Sequence, residues 1–203
     1  MLLNSFSVIE NAFHCLALEE RRRSFAPALW HIPQEEDRET IPEIKISDTT
    51  QPVRREKIGP PTLRQIWLPG VHADVGGHRP FSKVALAWMI HQCHNLLIFD
   101  DHYMRTVFDS LSDCVPYSIK DSMIGIFRLH GSRYRTPGEY WANKSINSRT
   151  WKDTNEMVHP LVWERMVKYP EWRPPSLTGF KRVPVEGELN RFKWVKAVSQ
   201  GGL

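Results

Sequence analysis

The 203-residue sequence has no long apolar run, no paired-cysteine motif and no gathered block of basic residues. No window approaches the ~18 apolar residues that a membrane span requires. The opening Met-Leu-Leu-Asn-Ser-Phe lacks a basic stretch followed by a sustained apolar one. The expectation is therefore a chain with no transmembrane segment, placed in the cytoplasm. Cys15, Cys93 and Cys114 are odd in number and lack Cys-x-x-Cys spacing, which argues against a disulfide framework or a zinc ribbon and for a reducing compartment. The net charge of +4 is mild and its basic residues are scattered, so nucleic acid is not an expected partner. Asn143, Lys144 and Ser145 fit a glycosylation sequon, read as chance without a leader.

Two catalytic signatures are missing as well. No Gly-x-Ser-x-Gly occurs, the pentapeptide that lets a chain turn sharply beneath a nucleophilic serine. Gly131-Ser132 lacks the second glycine, and Ser199 lies near the end of the sequence. No His-Glu-x-x-His occurs either, so helical zinc-hydrolase spacing is absent.

What is present suits a folded chain: 41% hydrophobic residues, 11% aromatic and eight Trp are enough for a real core. Phe6, Ile9, Phe13, Leu16 and Ala17 recur at threes and fours, predicting a helix over 5–18 with Ser5 as N-cap. It begins almost at Met1, with no strand or glycine-rich loop before it. Glu19 to Arg23 then reads as a solvated charged turn, and Phe25, Leu29 and Trp30 return toward a core. Gln34 to Pro61, rich in Glu, Asp, Thr and Pro, reads as a loop or insertion.

Leu63 to Leu68 is a strand pattern that stops at Pro69-Gly70. Ser82 can cap a helix through Ala85, Leu86, Trp88, Met89 and Ile90. After Leu96 to Phe99 a further helix is expected around Tyr103 to Leu111, then helix or strand over Asp121 to Leu129. From Gly131 onward the regular pattern fades. The division expected is 1–110 for an incomplete α/β domain, 111–170 for an extension, and 171–203 for an irregular tail.

Pro69-Gly-Val-His-Ala-Asp-Val-Gly-Gly77 sits between that strand and that helix, where an open α/β sheet exposes side chains at its carboxyl edge. Gly70, Gly76 and Gly77 permit backbone angles closed to other residues, and Asp74 can hold nearby amides. His72 on such a loop can act as a general base, while a turn histidine satisfying local polar groups is the plainer reading of the same spacing. His72, Asp74 and His78, with His91 and His94 three apart on the next helix, offer metal-compatible donors, but their spacing has no known mechanical reason. No metal and no cofactor is expected. His14, beside Phe13, reads as a packed residue hydrogen-bonded to a neighbour.

Three segments together resemble one family. Phe13-His-Cys-Leu-Ala-Leu-Glu-Glu-Arg21 with Phe25-Ala-Pro-Ala-Leu-Trp30, then Gln65-Ile-Trp-Leu-Pro-Gly-Val-His-Ala-Asp-Val-Gly-Gly77, then Leu86-Ala-Trp-Met89 are similar to the α/β-hydrolase catalytic domain allied to type VI secretion phospholipase effectors. Tyr134-Arg-Thr-Pro-Gly-Glu-Tyr140 and Thr154-Asn-Glu-Met-Val-His-Pro160 resemble the C-terminal region of its fungal members. The resemblance implies a serine ester hydrolase with a Ser-Asp-His triad, in which His72 matches the histidine and loop amides supply oxyanion contacts. The serine and the triad aspartate are expected before Met1. Asp74, two residues from His72, is expected to brace the loop. Cys15, Glu19 and His78 stand where Ala, Asp and a third Gly are usual. A lipid or another carboxylic ester is the implied substrate. The rival expectation is a catalytically silent chain that binds or self-associates through exposed sheet edges, and a metal-dependent hydrolase is the weaker alternative.

Overall fold

The computed structural model describes residues 9–32, 62–77, 79–109, 111, 114, 116, 118–138, 154–186 and 192–197. The expected 34–61 loop, the sequon and His78 lie outside them. Three strands, β1 (Asn11–Ala17), β2 (Thr62–Leu68) and β3 (Glu156–Val158), form a parallel sheet in the order β1-β2-β3. Asn11 faces Thr62 and Ala17 faces Leu68; Gln65, Ile66 and Trp67 face Glu156, Met157 and Val158. Helices α1 (His72–Gly76), α2 (Pro80–Cys93) and α3 (Asp101–Asp109) fall between β2 and β3, and α4 (Pro160–Lys168) follows β3. This parallel sheet with helices gives a mixed α/β fold.

The helix expected over 5–18 is corrected: among the described residues, Asn11–Ala17 is a strand. A short apolar run cannot separate a buried helix from a strand covered on both faces. Pairing with β2 decides: it ties down one edge of β1 and sets Cys15 in one core and Leu16 in the other, so both faces are covered. Ile66, Leu68 and Cys15 lie with Phe81, Val84, Ala85 and Leu161. Trp67, Leu16 and Leu18 lie with Leu29, Val162 and Leu177. Successive residues of β2 thus enter different cores, as the two-residue strand period requires.

Arg79 precedes the first turn of α2 and Pro80 occupies it, where the missing proline N–H costs nothing. Ser82 is therefore not the cap; its hydroxyl donates to the Arg79 carbonyl at 2.6 Å. The helix expected near Tyr103 is α3, whose Tyr103 amide is held by Asp100 at 2.7 Å. Over 121–129 neither regular element forms: only a 3-10 turn, Gly125–Arg128, is present.

The expected irregular tail also needs correction. Strands β4 (Phe180–Pro184) and β5 (Phe192–Lys196) pair antiparallel, with Phe180 opposite Lys196. Trp194 packs on the Leu16–Trp67 core, and the Arg182 guanidinium lies 3.5 Å from the Phe192 ring centroid and 4.6 Å from that of Trp163. The cross-strand Arg182–Phe192 contact, with the packing of Trp163 and Trp194, stabilises a hairpin whose charged alternation obscures its apolar face.

Candidate functional site

The carboxyl ends of the three parallel strands converge. Glu19 and Glu20 follow β1, the histidine loop follows β2, and His159 directly follows β3. The ladder continues past the strands, since the Leu18 amide donates to the Leu68 carbonyl at 2.9 Å and the Glu19 amide to the Gly70 carbonyl at 3.0 Å. The two loops are therefore locked edge to edge.

Three consecutive loop amides each end on a different carboxylate. The Gly70 amide donates to Glu19 at 2.6 Å, the Val71 amide to Asp74 at 2.8 Å, and the His72 amide to Glu20 at 3.2 Å. The expected oxyanion role of the loop amides is thereby corrected at these positions: each hydrogen is already aimed at an anion. Asp74 and Glu20 have no exposed surface. Arg79 answers Asp74 at 2.9 Å, and Arg22 answers Glu20 at 2.8 Å.

Glu20 collects the most donors. Besides the His72 amide, it accepts from the Arg22 amide and guanidinium and from the buried Ser122 hydroxyl at 2.9 Å. Burial alone would push its carboxyl up, but these hydrogen bonds outweigh it and hold the group at about 2. Glu19 goes the other way. Desolvation raises it, despite hydrogen bonds from the Gly70 amide and the Trp172 indole and the charge of Arg165. The expected solvated turn over 19–23 is corrected on this point: its acids are the inner supports of the histidine loop, with Arg23 left exposed.

Of the three loop glycines, only Gly70 has the left-handed backbone that favours glycine, at φ +99°. A Cβ there would meet Asp74 Cβ and Oδ2 at 2.7 Å. Gly77 is needed for closeness instead, because a Cβ would collide with the Ala73 carbonyl oxygen; Gly76 is helical with open space around it. The expectation of special backbone angles thus holds at Gly70 alone.

His72 opens the short helix α1 and its side chain is exposed. Its ring meets Phe25 edge-on at 5.1 Å. Phe25 in turn packs at 6.0 Å from Phe127, and the Arg22 guanidinium covers Phe25 at 3.7 Å. Among the described residues no carboxylate hydrogen-bonds the His72 ring. Asp74 is spent on the Val71 amide and Arg79, in keeping with a bracing role.

A cavity of about 560 Å³ adjoins this loop, lined among others by Glu19, Val71, Tyr134, Arg165 and Trp172. The buried Arg165 guanidinium lies 5.0 Å from Trp172, 5.3 Å from Tyr169 and 5.6 Å from Phe81, measured to ring centroids.

Among the described residues, His14, His159, His91 and His94 each have partners other than the His72 ring. His14 belongs to β1, with Nδ1 3.3 Å from Gln65 Oε1, and burial lowers its pKa. Gln65 is itself fixed by Trp30 and the Thr154 carbonyl. His159 accepts the Leu161 amide at 3.1 Å as the cap of α4, and desolvation brings it down to about 4. His91 and His94 stack at 5.5 Å on the exposed end of α2. Among the described residues no group of three or more His, Cys, Asp or Glu is placed to hold a metal ion, and no helix is long and apolar enough to cross a membrane.

Sequence reasoning missed Glu20, Ser122 and Trp172. Only the first left a usable signal: paired acids directly after an apolar run lie where a buried parallel strand delivers them to the sheet's carboxyl edge.

Residues 3–92 match the family described as T6SS, phospholipase effector Tle1-like, catalytic domain. This is the family that the histidine-loop segments resemble, and the match takes in β1, the paired acids, β2, the loop and most of α2. No curated protein and no solved structure matches the chain.

Proposed function

We propose, from the Tle1-like phospholipase effector character of residues 3–92, that this chain carries the general-base part of a serine ester hydrolase acting on phospholipid or another carboxylic ester. In this reading His72 takes the proton of a serine as it attacks the ester carbonyl, then returns it to the departing alcohol. The observation that carries the reading is the placement of His72 within the matched segment. It is exposed at the carboxyl end of β2, with its own amide tied to the buried Glu20.

The supporting groups have distinct tasks. Gly70 makes the turn, Asp74 and Arg79 brace it, and Gly77 lets the chain pass close to Ala73. Glu19 and Glu20 fix the loop against β1, which limits the positions open to the imidazole and so favours a productive approach. Because three loop amides are committed to carboxylates, oxyanion donors come from elsewhere. No Gly-x-Ser-x-Gly lies within the 203 residues, so in this reading the serine and the triad aspartate come from polypeptide outside them. The chain by itself is then catalytically silent.

Fluorophosphonate labelling and p-nitrophenyl ester assays test this. The 203-residue chain is expected to give neither labelling nor turnover. A longer product of the same gene that contains an in-frame elbow is expected to cleave esters, and His72→Ala to lower kcat on the order of 10⁴-fold with unchanged melting. Turnover by the 203-residue chain that resists the probe, or full activity in the longer His72→Ala protein, would overturn the reading.

A further inference from the structure

Two turns leave large apolar side chains in solvent, and they differ in charge. Leu96, Leu97 and Ile98 follow α2, where Asp100 and Asp101 stand next in the chain. Ile124, Ile126 and Leu129, at 65%, 64% and 85% exposure, surround the 3-10 turn Gly125–Arg128. Within residues 118–135 there are four cationic side chains against one acid; Arg135 is turned inward, donating to the Ala17 and Phe25 carbonyls, and Lys120, Arg128 and Arg133 are exposed. That acid, Asp121, is already paired with Arg21.

The second turn is also joined to the candidate site. Phe127 faces inward, 6.0 Å from Phe25, which contacts the His72 ring. Ile119, Lys120, Asp121 and Tyr134, from the same stretch, line the 560 Å³ cavity. One segment therefore presents apolar side chains and positive charge outward while its inner side reaches the histidine loop.

We propose that residues 124–130 are an interfacial docking element that inserts Ile124, Ile126 and Leu129 into an anionic lipid surface. The choice of occupant rests on charge complementarity: exposed apolar residues rimmed by cations gain from acyl burial and from anionic headgroups together. The acid-flanked Leu96–Ile98 turn lacks the second contribution. The proposal rests on the ester-hydrolase reading in taking lipid as the nearby substrate, and it gives that reading a geometry, with the membrane laid beside the cavity mouth and His72.

Sedimentation of the full 203-residue chain with phosphatidylcholine vesicles, with and without phosphatidylglycerol, tests it. The chain is expected to bind the anionic vesicles, and added salt is expected to weaken that binding. Ile124→Ser with Ile126→Ser and Leu129→Ser is expected to lower vesicle affinity about tenfold without changing the circular-dichroism melt, because all three side chains are exposed. The matching triple serine variant at Leu96, Leu97 and Ile98 is expected to bind like the parent. No binding to anionic vesicles, or equal loss in both triple variants, overturns the proposal. So does a parent dimer that ignores vesicles and becomes monomeric in the Ile124 variant, which would make the surface a contact between two copies. Turnover of short soluble esters by the longer product tests the hydrolase reading separately, since it needs no lipid surface.

Discussion

The loop after β2 and the turn after α2 are both short surface connections, yet they are held in opposite ways. Amides of Gly70 and His72 end on carboxylates brought from β1, 51 and 52 residues away in the chain. The turn after α2 is closed by its own backbone, with the Leu96 and Leu97 amides both donating to the Cys93 carbonyl. Its apolar side chains stay outside. Buried charge with directed donors specifies one loop geometry, because any other arrangement strands an anion without partners. A locally closed turn carries no such penalty. The conformationally demanding loop is the one inside the family match.

The most severe way to break this contrast is Glu20→Ala. It leaves the Arg22 guanidinium, the Ser122 hydroxyl and the His72 amide without their acceptor, and a loss of about 3–5 kcal/mol in urea unfolding is expected. A loss below about 1 kcal/mol would show that Glu20 does not anchor the loop.

The end of β3 sharpens the comparison, since its loop is held by a local acceptor that titrates. His159 sits at about 4, below its usual 6.5, so the unfolded chain binds its proton more readily than the folded one. The associated stability is complete above 6.5 and is lost as pH falls from 6.5 through 4, by about 3 kcal/mol at most. His14, also lowered, acts in the same direction. Glu19, raised by burial, contributes stability that is present at low pH and lost as pH rises, so it opposes them. Comparing melting curves of the parent with His159→Asn, which keeps a capping acceptor but does not titrate, isolates the imidazole. Parallel pH profiles in the two proteins would contradict the assignment.

The mildest test stays within the loop. Gly70→Ala is expected to cost about 1–3 kcal/mol through left-handed strain and the approach to Asp74. Gly76→Ala should change stability by about 0.5 kcal/mol or less, because its position is helical and open. Equal effects of the two substitutions in chemical denaturation would remove the distinction among the loop glycines.

The strand at Leu63 to Leu68, the helix beginning near Pro80 and the position of His72 between them were legible in sequence, because Pro, Gly and the change of apolar period mark such boundaries locally. β1 was not legible. Its apolar spacing suits a helix until β2 lies beside it, and His14 finds its partner only through that register. The burial of Glu19 and Glu20 was hinted at only by their place after an apolar run, since two acids and three arginines read as solvated until Ser122, Trp172 and the loop amides surround the acids. The terminal hairpin escaped for the same reason: the packing that defines its inner face, around Trp163 and Trp194, comes from distant segments.

The sequence by itself determined the glycine-bounded histidine loop, its strand-to-helix setting and the family it resembles, all properties of contiguous residues. Only the tertiary structure decided that, of the three loop glycines, Gly70 alone needs the left-handed region and that three loop amides are committed to carboxylates. It likewise decided that the acidic pair after β1 supports the loop from beneath. Those outcomes depend on which strand lies alongside which, and parallel pairing joins residues whose separation along the chain leaves no local trace.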